Sequence, residues 1–140
     1  MTVLIDTNVV LDILLKRLPW YKNAALIFGL SKNKFIKSYI SASSITDIFY
    51  IAQKELGRSV AKETVKTLLK TFYPATVKDG DIFQALELDW EDFEDSLQFV
   101  VGKGLSVDYI ISRNTKDFSL SSINVVTPEE FIQTVTDIEN

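Results

Sequence analysis

Short β-branched runs alternate along the chain with longer segments of helical spacing. Val3–Asp6, Lys37–Ser41, Ala75–Val77, Tyr109–Ser112 and Asn124–Val126 read as five strands. Between and after them, Val9–Leu15, Tyr21–Ser31, Ile45–Leu56, Ala61–Thr71, Asp81–Glu87, Asp92–Gly102 and Pro128–Thr136 read as helices. The recurrence at Ile48, Ile51, Ala52 and Glu55, and at Phe93, Leu97, Val100 and Val101, gives one apolar face per turn pair. Punctuation agrees: Pro19 precedes a helix, Gly57 ends one, Pro74 stands before the third strand, and Thr127-Pro128-Glu129-Glu130 is a helix start. Strands alternating with helices predict an α/β fold, a single three-layer domain with a five-stranded parallel sheet and helices on both faces.

Composition narrows the chemistry more than the fold. The 140 residues hold 15 Lys and Arg against 19 Asp and Glu, a formal charge of −4, and contain neither Cys nor His. Thiol chemistry, Ser-His and Cys-His pairs and every usual structural zinc set are excluded. Catalysis here must use carboxylates, hydroxyls, amines or a hard metal. One domain over residues 1–136 is expected, with 137–140 as a tail. The opening MTVLIDTN lacks the features of a signal or transit peptide, and no apolar run approaches the ~20 residues of a membrane span, so a cytoplasmic protein is expected.

In open α/β sheets ligands bind beyond the carboxyl ends of the strands. Asp6 ends the first strand, Asp47 falls in the first turn of the helix after the second, and Asp92 and Asp95 open the helix before the fourth. Asn114 and Asp117 follow the fourth strand. Acids from segments far apart in sequence therefore reach one edge, which suits Mg²⁺ or Mn²⁺, cations that prefer oxygen ligands. With such a cation, phosphodiester hydrolysis needs no imidazole. Each acid also has a plainer role: Asp47, Asp92 and Asp95 complement helix dipoles, Asp12 faces solvent or pairs with Lys16, and Glu91 and Glu94 are solvated.

Four stretches together resemble a PIN domain, and among PIN domains the VapC-type toxins of bacterial toxin–antitoxin pairs. They are VLIDTNVVLD at 3–12, SASSITDIFYIA at 41–52, DFEDSLQ at 92–98 and DYIISRNTKDF at 108–118, within a likeness running from about Thr2 to Phe131. The resemblance implies a Mg²⁺- or Mn²⁺-dependent endoribonuclease, a homodimer neutralised by a cognate antitoxin protein. Its metal acids fall on Asp6, Asp95 and Asp47, the last standing where the family usually has Glu. Asn114 and Asp117 occupy the fourth acidic position. Thr7 and Asn8 support Asp6 at the substrate side, and Arg113 and Lys116 are expected to assist RNA binding.

Other readings fit less well. A receiver-type phosphoacceptor would want an acid pair at the first strand and Lys at the last, and a haloacid-type phosphatase would want an acid where Asn8 stands. The remaining alternative is a PIN fold with a decayed site, serving as a protein-binding module. The aromatic residues Trp20, Tyr21, Phe28, Phe49 and Tyr50 exceed what one helix face buries, which predicts a two-fold homodimer and an apolar groove for an antitoxin helix or strand.

Overall fold

A computed structural model describes residues 1–139. The strands are β1 (Thr2–Ile5), β2 (Lys37–Ser41), β3 (Phe72–Ala75), β4 (Tyr109–Ile111) and β5 (Asn124–Val126), all parallel, in the order β3-β2-β1-β4-β5. The helices are α1 (Thr7–Leu14), α2 (Tyr21–Lys32), α3 (Ile45–Leu56), α4 (Arg58–Leu68), α5 (Asp79–Glu87), α6 (Phe93–Gly104) and α7 (Pro128–Glu139).

The alternation of β1 between the two faces of the sheet sets the layers. Val3 and Ile5 face one core with α1, α2, α3, α4 and α7, while Leu4 faces the other with α5 and α6. In β4, Ile111 joins the first core and Ile110 the second. All five of these side chains are fully buried, as expected of central strands in a sheet covered on both faces. Gly102 lets α6 approach β1 closely, since a Cβ there would meet Val107 Cγ2 at 3.2 Å and Leu4 Cδ2 at 3.5 Å.

Several sequence expectations shift. The third strand is Phe72–Ala75 rather than Ala75–Val77, and Pro74 lies inside it, paired with Ile40. Proline is tolerated because β3 is an edge strand, where a missing N–H breaks no ladder. The helix expected at Ala61–Thr71 is Arg58–Leu68, beginning directly after Gly57, whose φ of +83° turns the chain sharply out of α3. Helix α7 starts at Pro128 as expected, in a reciprocal capping box: Glu130 N–H donates to Thr127 Oγ1 and Thr127 N–H to Glu130 Oε1, both at 3.1 Å. It runs on through residues 137–139, which the sequence reading set apart as a tail; Asn140 lies outside the described residues.

The aromatic residues do not form one surface. Trp20 and Tyr50 are exposed, but Tyr21, Phe28 and Phe49 are half-buried, with Phe28 edge-on to Phe72 at 5.5 Å between ring centres. Exposed apolar side chains gather instead on α5 and the start of α6, at Ile82, Phe83, Leu86 and Phe93. Among the described residues, no helix is long and apolar enough to cross a membrane.

Candidate active site

Sheet order reverses between β1 and β4: the chain leaves β1 toward β2 and β3 on one side, and passes from β4 to β5 on the other. Loops diverge at such a point and leave a crevice at the strand ends. Asp6 stands one residue beyond β1 and Ser112 one residue beyond β4, where Ile5 and Ile111 are register partners.

Asp6 is buried and caps α1. Its Oδ1 accepts Thr7 N–H at 2.7 Å and Gln98 Nε2–H at 3.0 Å, and its Oδ2 accepts the Ser112 hydroxyl at 2.7 Å. An ionised carboxylate offers about four acceptor positions. Three are filled here, leaving capacity chiefly on Oδ2.

Asp6, Thr7, Asn8, Asp47, Asp95, Asn114 and Asp117, all expected at the site, line one cavity of about 420 Å³. Asp92 and Glu94 line it too, so that among the described residues six carboxylates and no Lys or Arg line its walls. Asp92 also caps α6, accepting Asp95 N–H at 3.0 Å. Glu94, expected to be solvated, is instead half-buried and accepts the Thr7 hydroxyl at 3.1 Å.

Crowding has an electrostatic consequence. Burial, then the neighbouring charges of Asp92, Asp6, Asp117 and Glu94, push the Asp95 carboxyl up to about 7. Glu94 is raised as well, mainly by burial, although the Thr7 hydrogen bond opposes the shift. Like charges crowded at one wall cannot all ionise together without a compensating positive charge.

The two expected basic residues lie outside this cavity. Lys116 lines an adjoining one of about 670 Å³ that shares Asp92 and Asp117 with it. Arg113 faces another, of about 350 Å³, beside Trp20 and Thr127. It is drawn there by Asp12, which does not face solvent or pair with Lys16 but is fully buried. Arg113 Nε lies 2.8 Å from Asp12 Oδ2, Arg17 Nη1 lies 3.9 Å from Oδ1, and the Arg113 guanidinium sits 3.8 Å over the Trp20 ring. Burial raises the Asp12 carboxyl from its ordinary value, with the two arginines pulling against the shift.

The profile of the PIN domain family matches residues 2–116. The chain belongs to the PIN domain family. This PIN domain is 30% identical over 137 residues to Ribonuclease VapC1 of Aquifex aeolicus (strain VF5), spanning 94% of this chain and 93% of that relative. Its fold resembles VapBC2 from Rickettsia felis bound to a DNA fragment from their promoter, with a TM-score of 0.68, 17% identity and coverage of 90% of this chain and 97% of that one. It also resembles a toxin–antitoxin complex from Klebsiella pneumoniae, with a TM-score of 0.68, 21% identity and the same two coverages.

Gln98 and Ser112 were not singled out as site residues from sequence. Gln98 is three residues after Asp95, and so on the same side of α6, and Ser112 ends the run YIIS at the same depth as Asp6. Those spacings were the available signals.

Proposed function

We propose that this PIN domain is a divalent-metal-dependent endoribonuclease that hydrolyses RNA phosphodiesters, the toxin of a toxin–antitoxin pair. The observation that carries the reading is the cavity at the strand switch point, walled among the described residues by six carboxylates and no basic side chain. The 30% identity to Ribonuclease VapC1 along nearly the whole chain favours RNA as the substrate, and the fold shared with toxin–antitoxin complexes favours an antitoxin protein as partner.

The donor set fits Mg²⁺ or Mn²⁺, since every ionisable lining group offers oxygen and the like charges are left unneutralised by the protein. Among the described residues, no three Asp or Glu side chains are grouped so that they could together hold a metal ion. Mg²⁺ does not ask for such a group, because it is commonly held by one or two carboxylates and several waters. Asp6 and Asp95 would hold the cation, with Asp47 at the cavity wall. A divalent cation held there would supply Lewis-acid chemistry, activating water and polarising a phosphoryl oxygen.

The chain's own side chains prepare that chemistry. Ser112, Gln98 and the Thr7 amide fix the Asp6 carboxylate in one orientation with Oδ2 available. Asp95, whose carboxyl is held up at about 7 by burial and neighbouring acids, would release its proton more readily beside a bound cation. Asn8 and Asn114 supply amide groups at the same walls, able to donate to phosphate or ribose oxygens. Lys116 lies in the adjoining cavity, where it would meet the phosphate chain of a bound strand.

We further infer a homodimer, supported by the exposed apolar side chains of α5 and the start of α6. Light scattering at micromolar concentration should return twice the chain mass. The enzymatic reading is tested by incubating purified protein with a panel of single-stranded and hairpin RNAs while Mn²⁺ or Mg²⁺ is raised into the millimolar range. Fragments should appear with metal and vanish with chelator. Intact RNA throughout, with tight binding of an antitoxin, would identify a binding module instead.

A further inference from the structure

Helix α1 grips the exit of β4 at two successive residues. Its cap, Asp6, takes the hydroxyl of Ser112, and Asp12, six residues on, is ion-paired with Arg113, whose Nε lies 2.8 Å from Oδ2 without hydrogen-bond geometry while Nη2–H donates to Oδ1 at 3.4 Å. Ser112 Oγ also accepts the Asn114 N–H at 3.0 Å, so the turn that brings Asn114 to the cavity hangs on the same hydroxyl. On the outer side the Arg113 guanidinium carbon lies 3.8 Å from the centre of the Trp20 ring, and Arg17 provides a second, longer contact to Asp12.

A buried ion pair is not the cheapest way to pack this helix face. Val9, Val10 and Leu11 already fill the core beside Asp12, and an apolar residue of similar volume often stabilises as well as a buried pair. What the pair adds is place, because a guanidinium ion-paired with a buried carboxylate on one side and lying over an indole ring on the other is confined between α1 and Trp20.

We infer that Asp12 and Arg113 are positioning residues for the acidic cavity: together they lock the Ser112–Asn114 turn against α1, so that Ser112 orients Asp6 and Asn114 stays at the cavity wall. Arg113 thus serves the site from behind rather than touching RNA. The inference rests on the proposed nuclease reading of that cavity.

The test uses the full chain carrying Arg113→Lys, which keeps the charge and loses the planar fork, and Asp12→Asn, which keeps the shape and loses the charge. Three quantities are read: the melting temperature, Mn²⁺ affinity by calorimetry, and kcat and KM for a cleaved RNA. Positioning predicts that both variants lose about 10-fold or more in Mn²⁺ affinity and kcat while KM stays unchanged. A lower melting temperature with unchanged Mn²⁺ affinity and kcat would make the pair mere framework and overturn the inference. A raised KM for Arg113→Lys with unchanged Mn²⁺ affinity would make Arg113 a substrate contact and overturn it equally. If Asp12→Asn does not fold, Arg113→Lys alone decides. A wild-type chain that neither binds Mn²⁺ nor cleaves RNA removes the nuclease reading first, and this inference with it, a failure visible before any substitution is made.

Discussion

Ser112 and Asp6, 106 residues apart in sequence, face each other across the strand switch point and share a 2.7 Å hydrogen bond. The bond joins the exits of the two central strands and sets the direction in which Asp6 presents its free acceptor position. Its energetic worth as a neutral-to-charged hydrogen bond is about 1.5–3 kcal/mol, modest beside its effect on geometry.

Removing either side-chain donor to Asp6 should therefore cost activity more than stability. Gln98→Met is the cleaner case, because the buried Gln98 Oε1 has no hydrogen-bond partner and disappears with the amide. Loss of a group that orients a metal ligand typically lowers metal affinity or activity about 10–100-fold. The expected outcome is a decrease of that order in cleavage rate for Gln98→Met and Ser112→Ala, with the Gln98→Met melting temperature nearly unchanged. Full activity in both would show that Asp6 needs no such support.

Asp95 gives the protein a pH dependence with a definite sign. Its native carboxyl sits at about 7, whereas in the unfolded chain it returns to about 3.9. Between those values the native state binds the extra proton, so this residue's contribution to stability falls as pH rises through the window and is flat above it. Glu94 shifts in the same direction. Urea titrations at about pH 5 and about pH 8 should show wild type losing stability relative to Asp95→Asn on going to the higher pH. Saturating Mn²⁺ should abolish the difference by favouring the ionised site. A wild type that gains on Asp95→Asn with rising pH, without metal, would contradict the shift.

Asp12 and Lys16 make contrasting stability predictions. Breaking a buried pair leaves an uncompensated charge and costs about 3–5 kcal/mol, whereas an exposed surface change stays within about 0.5 kcal/mol. Asp12→Ala should therefore lower the denaturation midpoint steeply and Lys16→Ala hardly at all. Equal effects would return Asp12 to the helix surface.

Lys116 and Arg113 differ likewise toward RNA. Each phosphate contact on a single strand contributes about 0.7 to the slope of log affinity against log salt. Lys116→Ala should reduce the slope by about that much, and Arg113→Ala should leave it unchanged. A slope unmoved by Lys116→Ala would place the strand elsewhere.

The layers, the order of elements and the convergence of Asp6, Asp47, Asp95, Asn114 and Asp117 were legible because they depend on local periodicity and on where strands end. Pro74 misled the reading, since proline usually stops a strand and only sheet order reveals that β3 is at an edge. Asp12 misled it for a related reason. Its place on α1 is local information, but its partner Arg113 lies 101 residues away, and pairing at that distance leaves no mark in helical spacing. Glu94 looked solvated because nothing in DFEDSLQ shows that Thr7 Oγ1 stands 3.1 Å from it. The resemblance to PIN domains implies metal-holding roles for Asp6 and Asp95 but says nothing of the hydrogen bonds that orient Asp6.

Whether the carboxylate cavity at the strand switch point is a metal-dependent nuclease site is decided by one measurement. This is the cleavage rate of a single susceptible RNA as Mn²⁺ is raised, compared between wild type and folded Asp6→Asn. The account predicts a wild-type rate that climbs into the millimolar range of Mn²⁺, where the short Asp47 leaves affinity weak, and an Asp6→Asn rate indistinguishable from the uncatalysed background. Cleavage by Asp6→Asn at the wild-type rate, or cleavage by wild type that survives complete removal of metal, would contradict it.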